Sequence, residues 1–239
     1  MTHRRPTVVL VHGAFAESAS WNGVIERLRA EDVPAVAVAN PLRGLAGDAA
    51  YLRDVLATID TPVILVGHSY GGMVITEGGG AGKVAALVYV GAFAPEQGES
   101  AFALSTRFPG STLGEALAAY PVATGGNEFA IRSDAFHHQF AADVPLGVAA
   151  VMSATQRPVT EAALSAGLAT DSPAWRSIPS WFVFGDQDLN IPAELHRFMA
   201  DRAGAKGVRE VPGGSHAISV SRPEVVTASI MEALHAVTS

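Results

Sequence analysis

Short apolar runs rich in β-branched residues recur along the chain at Thr7–Val11, Ala35–Val38, Val63–Val66, Ala86–Val90, Trp181–Phe184 and Val208–Val211. Apolarity within them is continuous rather than alternating, which predicts strands covered on both faces. Helical spacing of apolar positions separates most of them, over Ser20–Ala30, Gly47–Ile59, Tyr70–Glu77, Pro192–Ala203 and Pro223–Val237. Strand alternating with helix predicts an α/β fold, a doubly wound and mostly parallel six-stranded sheet. No repeat, low-complexity tract or linker divides the 239 residues, so residues 1–239 read as one domain.

The alternation lapses once. Residues 93–178 carry no strong buried-strand signal, while helical spacing occurs near Thr112–Ala119, Ser133–Ala141, Leu146–Ala154 and Thr160–Ala166. An insertion of mostly helical character is therefore expected between the fourth and fifth strands. It is rich in aromatic residues (Phe93, Phe102, Phe108, Phe129, Phe136, Phe140 and Trp175), which suits a cap over a pocket or a small packing subdomain. Ligands in open α/β sheets bind at the carboxyl ends of strands, where such an insertion emerges, and this favours the cap.

Composition narrows the class. There is no cysteine, so disulfides, thiolate metal sites and a cysteine nucleophile are excluded. Sixteen basic against 23 acidic residues leave a formal charge of −7 with no basic tract, which argues against a nucleic-acid partner. No apolar run approaches the roughly 18 residues of a membrane span, and the first apolar run is too short for a signal-peptide core. A cytoplasmic location is the expectation, with His3, Arg4 and Arg5 a solvated end, a small molecule as the partner and either a monomer or a homodimer as the assembly.

The strongest chemical signal lies at Pro62–Met73, Pro-Val-Ile-Leu-Val-Gly-His-Ser-Tyr-Gly-Gly-Met. A serine between glycines is also what an ordinary turn looks like. Here Gly67-x-Ser69-x-Gly71 falls between a strand and a helix, the setting of a nucleophile elbow, where side chains at the glycines would collide across the turn. Ser69 would then stand at the apex with the Tyr70 N–H, at the helix start, aimed at any anion formed on a substrate. The first strand ends in His12-Gly13-Ala14-Phe15, a sharp turn that makes the Ala14 N–H a second donor for the same anion.

The loop Gly185-Asp186-Gln187-Asp188 follows a late strand, where a carboxylate can orient an imidazole. Asp188 is preferred because Pro192 opens the next helix four residues later, while Asp186 sits nearer the turn and suits backbone donors. After the last strand, Pro212-Gly213-Gly214-Ser215-His216 suits a loop carrying an imidazole back over the serine. Of the other histidines, His3, His196 and His235 read as surface residues, and His12 and His68 as packing and hydrogen-bonding neighbours of the site. His137 and His138 are adjacent, so they cannot share a helix face as metal ligands; no metal and no cofactor are expected.

With the elbow, the His-Gly turn, the late Gly-x-x-Asp loop and the C-terminal histidine in the order Ser69, Asp188, His216, the sequence resembles the α/β-hydrolase superfamily across nearly its whole length. Six residues before the first strand imply a core lacking the amino-terminal hairpin of fuller members. That start, with Trp21 after the His-Gly-Ala-Phe turn, is similar to plant-type methylesterases and hydroxynitrile lyases and their bacterial relatives. The resemblance implies that the lyases carry threonine where this chain has Gly13 and lysine where it has Ala217, so it points to the esterase branch. Epoxide hydrolases and haloalkane dehalogenases attack through an aspartate at the elbow, where this chain has Ser69.

The expected activity is hydrolysis of a carboxylic ester or lactone through a Ser69–His216–Asp188 triad, with Ala14 and Tyr70 as oxyanion donors. Phe15, Tyr70, Phe93, Met152 and Leu189 are the expected lining of a modest apolar pocket. A lyase using the same triad as a base, and a hydrolase-derived sensor of a small ligand, remain the alternatives.

Overall fold

The computed structural model describes residues 5–80 and 82–238; Arg5 is exposed, and the expected solvated end at His3 and Arg4 lies outside the described residues. From the amino terminus come β1 (Thr7–Val11), α1 (Asn22–Ala30), β2 (Ala35–Val38), α2 (Leu45–Ala57), β3 (Val63–His68), α3 (Gly71–Gly78) and β4 (Val84–Val90). The insertion holds α4 (Ala101–Ser105), α5 (Leu113–Ala116), β5 (Leu117–Pro121), β6 (Asn127–Ile131), α6 (Ser133–Phe140), α7 (Leu146–Thr155), β7 (Val159–Thr160) and α8 (Glu161–Ser165). The alternation resumes with β8 (Ser180–Gly185), α9 (Ala193–Arg202), β9 (Gly207–Val211), α10 (Ile218–Ser221) and α11 (Pro223–Thr238).

Six strands form one parallel sheet in the order β2-β1-β3-β4-β8-β9. Because side chains alternate across a strand, each continuous apolar run supplies two cores at once. Val8 and Leu10 of β1, with Ile64 and Val66 of β3, pack against Val24 and Leu28 of α1 and Ile230 of α11. Val9 and Val11, with Val63 and Leu65, face Leu52 and Leu56 of α2, Ile75 of α3 and Leu195 of α9. Each such side chain, fully buried, contributes about 1.5–3 kcal/mol before the entropy of ordering it is subtracted.

Two-sided burial fails at the sheet edges. Val36 of β2 and Val208 of β9 are 42% and 51% exposed, and Arg209 and Glu210 of β9 face solvent. An edge strand with charged residues resists pairing with another chain, so these positions fit an edge better than a covered centre.

The insertion departs further from expectation. It contains a three-stranded antiparallel sheet, β5-β6-β7, and the helix expected over Thr112–Ala119 stops at Ala116 where β5 begins. Of the helix expected over Thr160–Ala166, Thr160 is instead the end of β7 and caps α8, its hydroxyl accepting from the Ala163 N–H. The small sheet is stitched to the core where Arg43 pairs with Glu128, which also accepts from the Tyr120 hydroxyl at 2.7 Å. On the opposite flank the Gln139 amide donates to Asn190 Oδ1 at 2.8 Å, and the Thr112 N–H to the Leu189 carbonyl at 3.0 Å. No helix among the described residues is long and apolar enough to cross a membrane.

Candidate active site

The strand ends of β1, β3, β8 and β9 converge on Ser69. Immediately after β3, Ser69 takes a left-handed backbone conformation, φ +54°, that non-glycine residues rarely adopt. Its own backbone holds it there: the Ser69 N–H donates to the Val90 carbonyl, and its carbonyl accepts from Gly72 and Phe93. The side chain is nearly buried at the foot of a pocket.

The His12–Phe15 turn lies directly against it. A β-carbon at Gly13 would stand 2.5 Å from Ser69 Cβ, so only glycine allows this approach. His12 fixes the turn. Its Nε2 accepts from the Asn40 N–H at 3.1 Å, so that nitrogen is unprotonated, and Nδ1–H donates to the Gly13 carbonyl at 2.9 Å. Burial lowers the His12 pKa to about 4, which keeps this tautomer neutral. Among the described residues neither the Ala14 nor the Tyr70 N–H has a backbone acceptor, so both remain free to donate.

The acid and histidine loops meet because two glycines let their backbones touch. A β-carbon at Gly185 would lie 2.0 Å from the Gly214 carbonyl oxygen. Across that contact His216 Nδ1 and Asp188 Oδ2 are 2.7 Å apart, both side chains buried. Asp188 Oδ1 accepts from the Asn190 and Ile191 N–H groups at 2.8 and 2.9 Å. Burial by itself would raise the Asp188 pKa, but the neighbouring His216 and His196 imidazoles outweigh it and hold the carboxyl well below its ordinary range. Asp186 has a different task, its Oδ1 accepting from the Gly213 N–H at 2.7 Å and stapling the histidine loop.

His216 Nε2 is buried without a hydrogen-bond partner among the described residues. The ring packs edge-on against Phe140, and its carbonyl accepts from His68 Nε2 at 3.0 Å. Burial lowers the His68 pKa to about 3, so His68 acts as a neutral strut under the histidine loop.

His196 was expected at the surface and is instead buried. It stacks on Phe184, and its Nε2 lies 3.4 Å from Asp188 Oδ2, the oxygen that also meets His216. The signal existed in the sequence, because His196 falls beside Leu195, Met199 and Ala200 on the buried stripe of α9. Burial lowers its pKa despite the adjacent carboxylate, so it meets Asp188 as a neutral N–H donor.

The pocket above Ser69 holds about 30 Å³. Phe15, Tyr70 and Phe93 are among its lining residues, with Phe102, Leu113 and Ile191. Met152 and Leu189 are not among its lining residues: Met152 lines a separate cavity that Phe15 also lines, and the Leu189 carbonyl accepts from the Gln139 amide of the insertion. Phe102 comes from α4, a five-residue helix too short for its periodicity to show. No group of three or more His, Cys, Asp or Glu placed to hold a metal occurs among the described residues.

The profile of the alpha/beta hydrolase family matches residues 8–229, which include the Ser69 turn, both late loops and all of the six-stranded sheet except Thr7. The chain belongs to the alpha/beta hydrolase family. A carbendazim-hydrolyzing esterase of Nocardioides sp. (strain SG-4G) is 53% identical over 60 residues, 23% of this chain and 25% of that esterase. Alpha/beta hydrolase nvfD of Aspergillus novofumigatus (strain IBT 16806) is 28% identical over 252 residues, 96% of each chain. Among solved structures, polyneuridine aldehyde esterase superposes with a TM-score of 0.81 at 19% identity, covering 96% of this chain and 99% of that one. A pyrethroid hydrolase from Sphingobium faniae JZ-2 gives 0.75 at 21% identity, covering 98% of each. At such identities the superpositions show the shared fold.

Proposed function

We propose that this hydrolase is a serine esterase acting on a small, mainly apolar carboxylic ester or lactone. The observation that carries the reading is the pairing of His216 Nδ1 with Asp188 at 2.7 Å, which leaves the far nitrogen of a buried imidazole free beside the strained Ser69 turn. In that arrangement His216 Nε2 takes the Ser69 proton as Oγ attacks the carbonyl carbon, and the Ala14 and Tyr70 N–H groups hold the oxyanion. Collapse of the tetrahedral intermediate passes the proton from His216 to the departing alkoxide. Water, deprotonated by His216, then adds to the acyl-enzyme and releases the acid.

The esterase names of the relatives agree with this reading, though the first of them is matched over only a quarter of its length. Gly13 disfavours the lyase alternative, because a threonine there would drive its β-carbon into Ser69. Ala217 is likewise buried, leaving no space for a lysine. Steady-state hydrolysis of 4-nitrophenyl acetate tests the proposal. Wild type should turn over with a rate that Ser69→Ala abolishes, and equal rates for the two proteins would overturn it.

A further inference from the structure

The pocket at Ser69 is narrow. Its free space of about 30 Å³ is far less than that of its neighbour. Next to it lies a cavity of about 260 Å³, between the Ala16–Asn22 segment and α7. Phe15 lines both, so this residue stands where the two spaces adjoin. Resting on the esterase reading above, we propose that the outer cavity is the subsite for the larger, uncharged apolar half of the substrate, with Phe15 as the movable partition.

Three observations support an apolar small-molecule occupant. The walls are mainly apolar, with Ala16, Val148, Val151 and Met152 facing the cavity. Val148 and Val151 are 46% and 63% exposed, an arrangement that loses contact with water only when something lies between α7 and the segment opposite. The rim carries Glu17 and no basic residue, which disfavours an anionic group. Charge and size together select a neutral aryl or alkyl moiety.

The cavity walls are held in place before any ligand arrives. Gln156, just after α7, clasps β6 from both sides, its Oε1 accepting from the Ile131 N–H and its Nε2 donating to the Ile131 carbonyl, each at 2.9 Å. The Phe15 N–H donates to the Arg157 carbonyl at 3.0 Å, one residue further on, and Phe15 sits at φ +60°. Its backbone is thus pinned to the same strut as α7. Rotation of the ring about its side-chain bonds is the motion that would join the two spaces, and preformed walls keep the ordering cost of binding low.

Two fluorophosphonates test this without requiring turnover. One carries only methyl groups and the other a naphthylmethyl arm; in each, Ser69 Oγ displaces fluoride from phosphorus. Wild type should be labelled at Ser69 faster by the naphthylmethyl probe, by about tenfold or more. Val151→Trp and Met152→Trp, each placing a ring in the cavity, should bring the ratio of the two rates close to one. Free 2-naphthol should protect wild type against the bulky probe more than against the methyl probe. A ratio that survives both tryptophan variants, or a wild type without preference, would overturn the subsite. Absence of labelling at Ser69 by either probe would instead overturn the esterase reading itself.

Discussion

The strand ends beneath Ser69 and the insertion above it are built by different rules. Below, each chemical group sits on a turn that the sheet forces into place. Ser69 follows β3, Asp188 follows β8, His216 follows β9, and close backbone contacts at Gly13 and Gly185 bring the turns together. Above, a short hairpin and small helices rest on the core through a few polar stitches, such as Arg43 with Glu128 and Gln139 with Asn190. The lower region is fixed by backbone contacts, the upper one largely by side-chain contacts. Under the proposed function the chemistry falls to the first region, and the second contributes walls to the pocket and the neighbouring cavity.

The largest effect that could break this division is at Ser69. Ser69→Ala should cut kcat/KM for an activated ester by at least about 10⁴ while leaving thermal unfolding close to wild type, as measured by steady-state kinetics and circular dichroism. Asp188→Asn should cost about 10³ to 10⁴, since the amide favours the wrong tautomer of His216. Asp186→Asn should change rates by less than about threefold, because the asparagine oxygen still accepts from Gly213. The reverse ranking of these two variants would place the working carboxylate at Asp186.

Acid should destabilise the fold through two imidazoles of the lower region. His12 and His68 have folded pKa values near 4 and 3 against an unfolded value of 6.5, so the folded state binds fewer protons. Their neutral-state stabilisation is complete above about pH 6.5 and is lost progressively as pH falls toward 4 for His12 and 3 for His68, about 3 kcal/mol for the first and about 5 kcal/mol for the second. Urea midpoints measured from pH 8 to pH 4 should therefore fall steadily below pH 6.5. A flat profile would mean that the two imidazoles are not held neutral.

A smaller effect is expected at the second imidazole on Asp188. His196→Phe removes an N–H donor to Oδ2 and should lower kcat by about three- to tenfold, with a shifted acid limb in the pH–rate profile. His196→Gln offers a similarly placed N–H and should recover most of that loss; if Phe and Gln behave alike, His196 only fills space. The smallest change belongs to the insertion, where Tyr120→Phe removes one bond to Glu128 on an exposed hairpin and should leave ester turnover within about twofold.

The same division governs what could be read from the sequence. Runs such as Val63–Val66 are legible because two-sided burial demands continuous β-branched residues, and Gly67-x-Ser69-x-Gly71 because the elbow tolerates few alternatives. The expected strands and helices of the core match the observed elements within one or two residues at nearly every end. The insertion lacks such demands. β5, Leu-Ala-Ala-Tyr-Pro, is mostly exposed and alanine-rich, so local propensity favours a helix, and pairing with β6 decides otherwise. Gly125-Gly126, both at positive φ between the two strands, was the hairpin signal available. His196 was misread because a histidine's polarity outweighed its place on a buried stripe, and Met152 because sequence order says nothing of which cavity it lines.

The central claim is that Ser69 forms a covalent acyl intermediate. Mixing the protein with excess 4-nitrophenyl acetate, quenching in acid within milliseconds to seconds and mapping the modified peptide by mass spectrometry tests it directly. One acetyl group on Ser69, accumulating with a burst of 4-nitrophenol and absent from Ser69→Ala, is the predicted result. Turnover without any acetyl on Ser69, and with undiminished rate in Ser69→Ala, would contradict it.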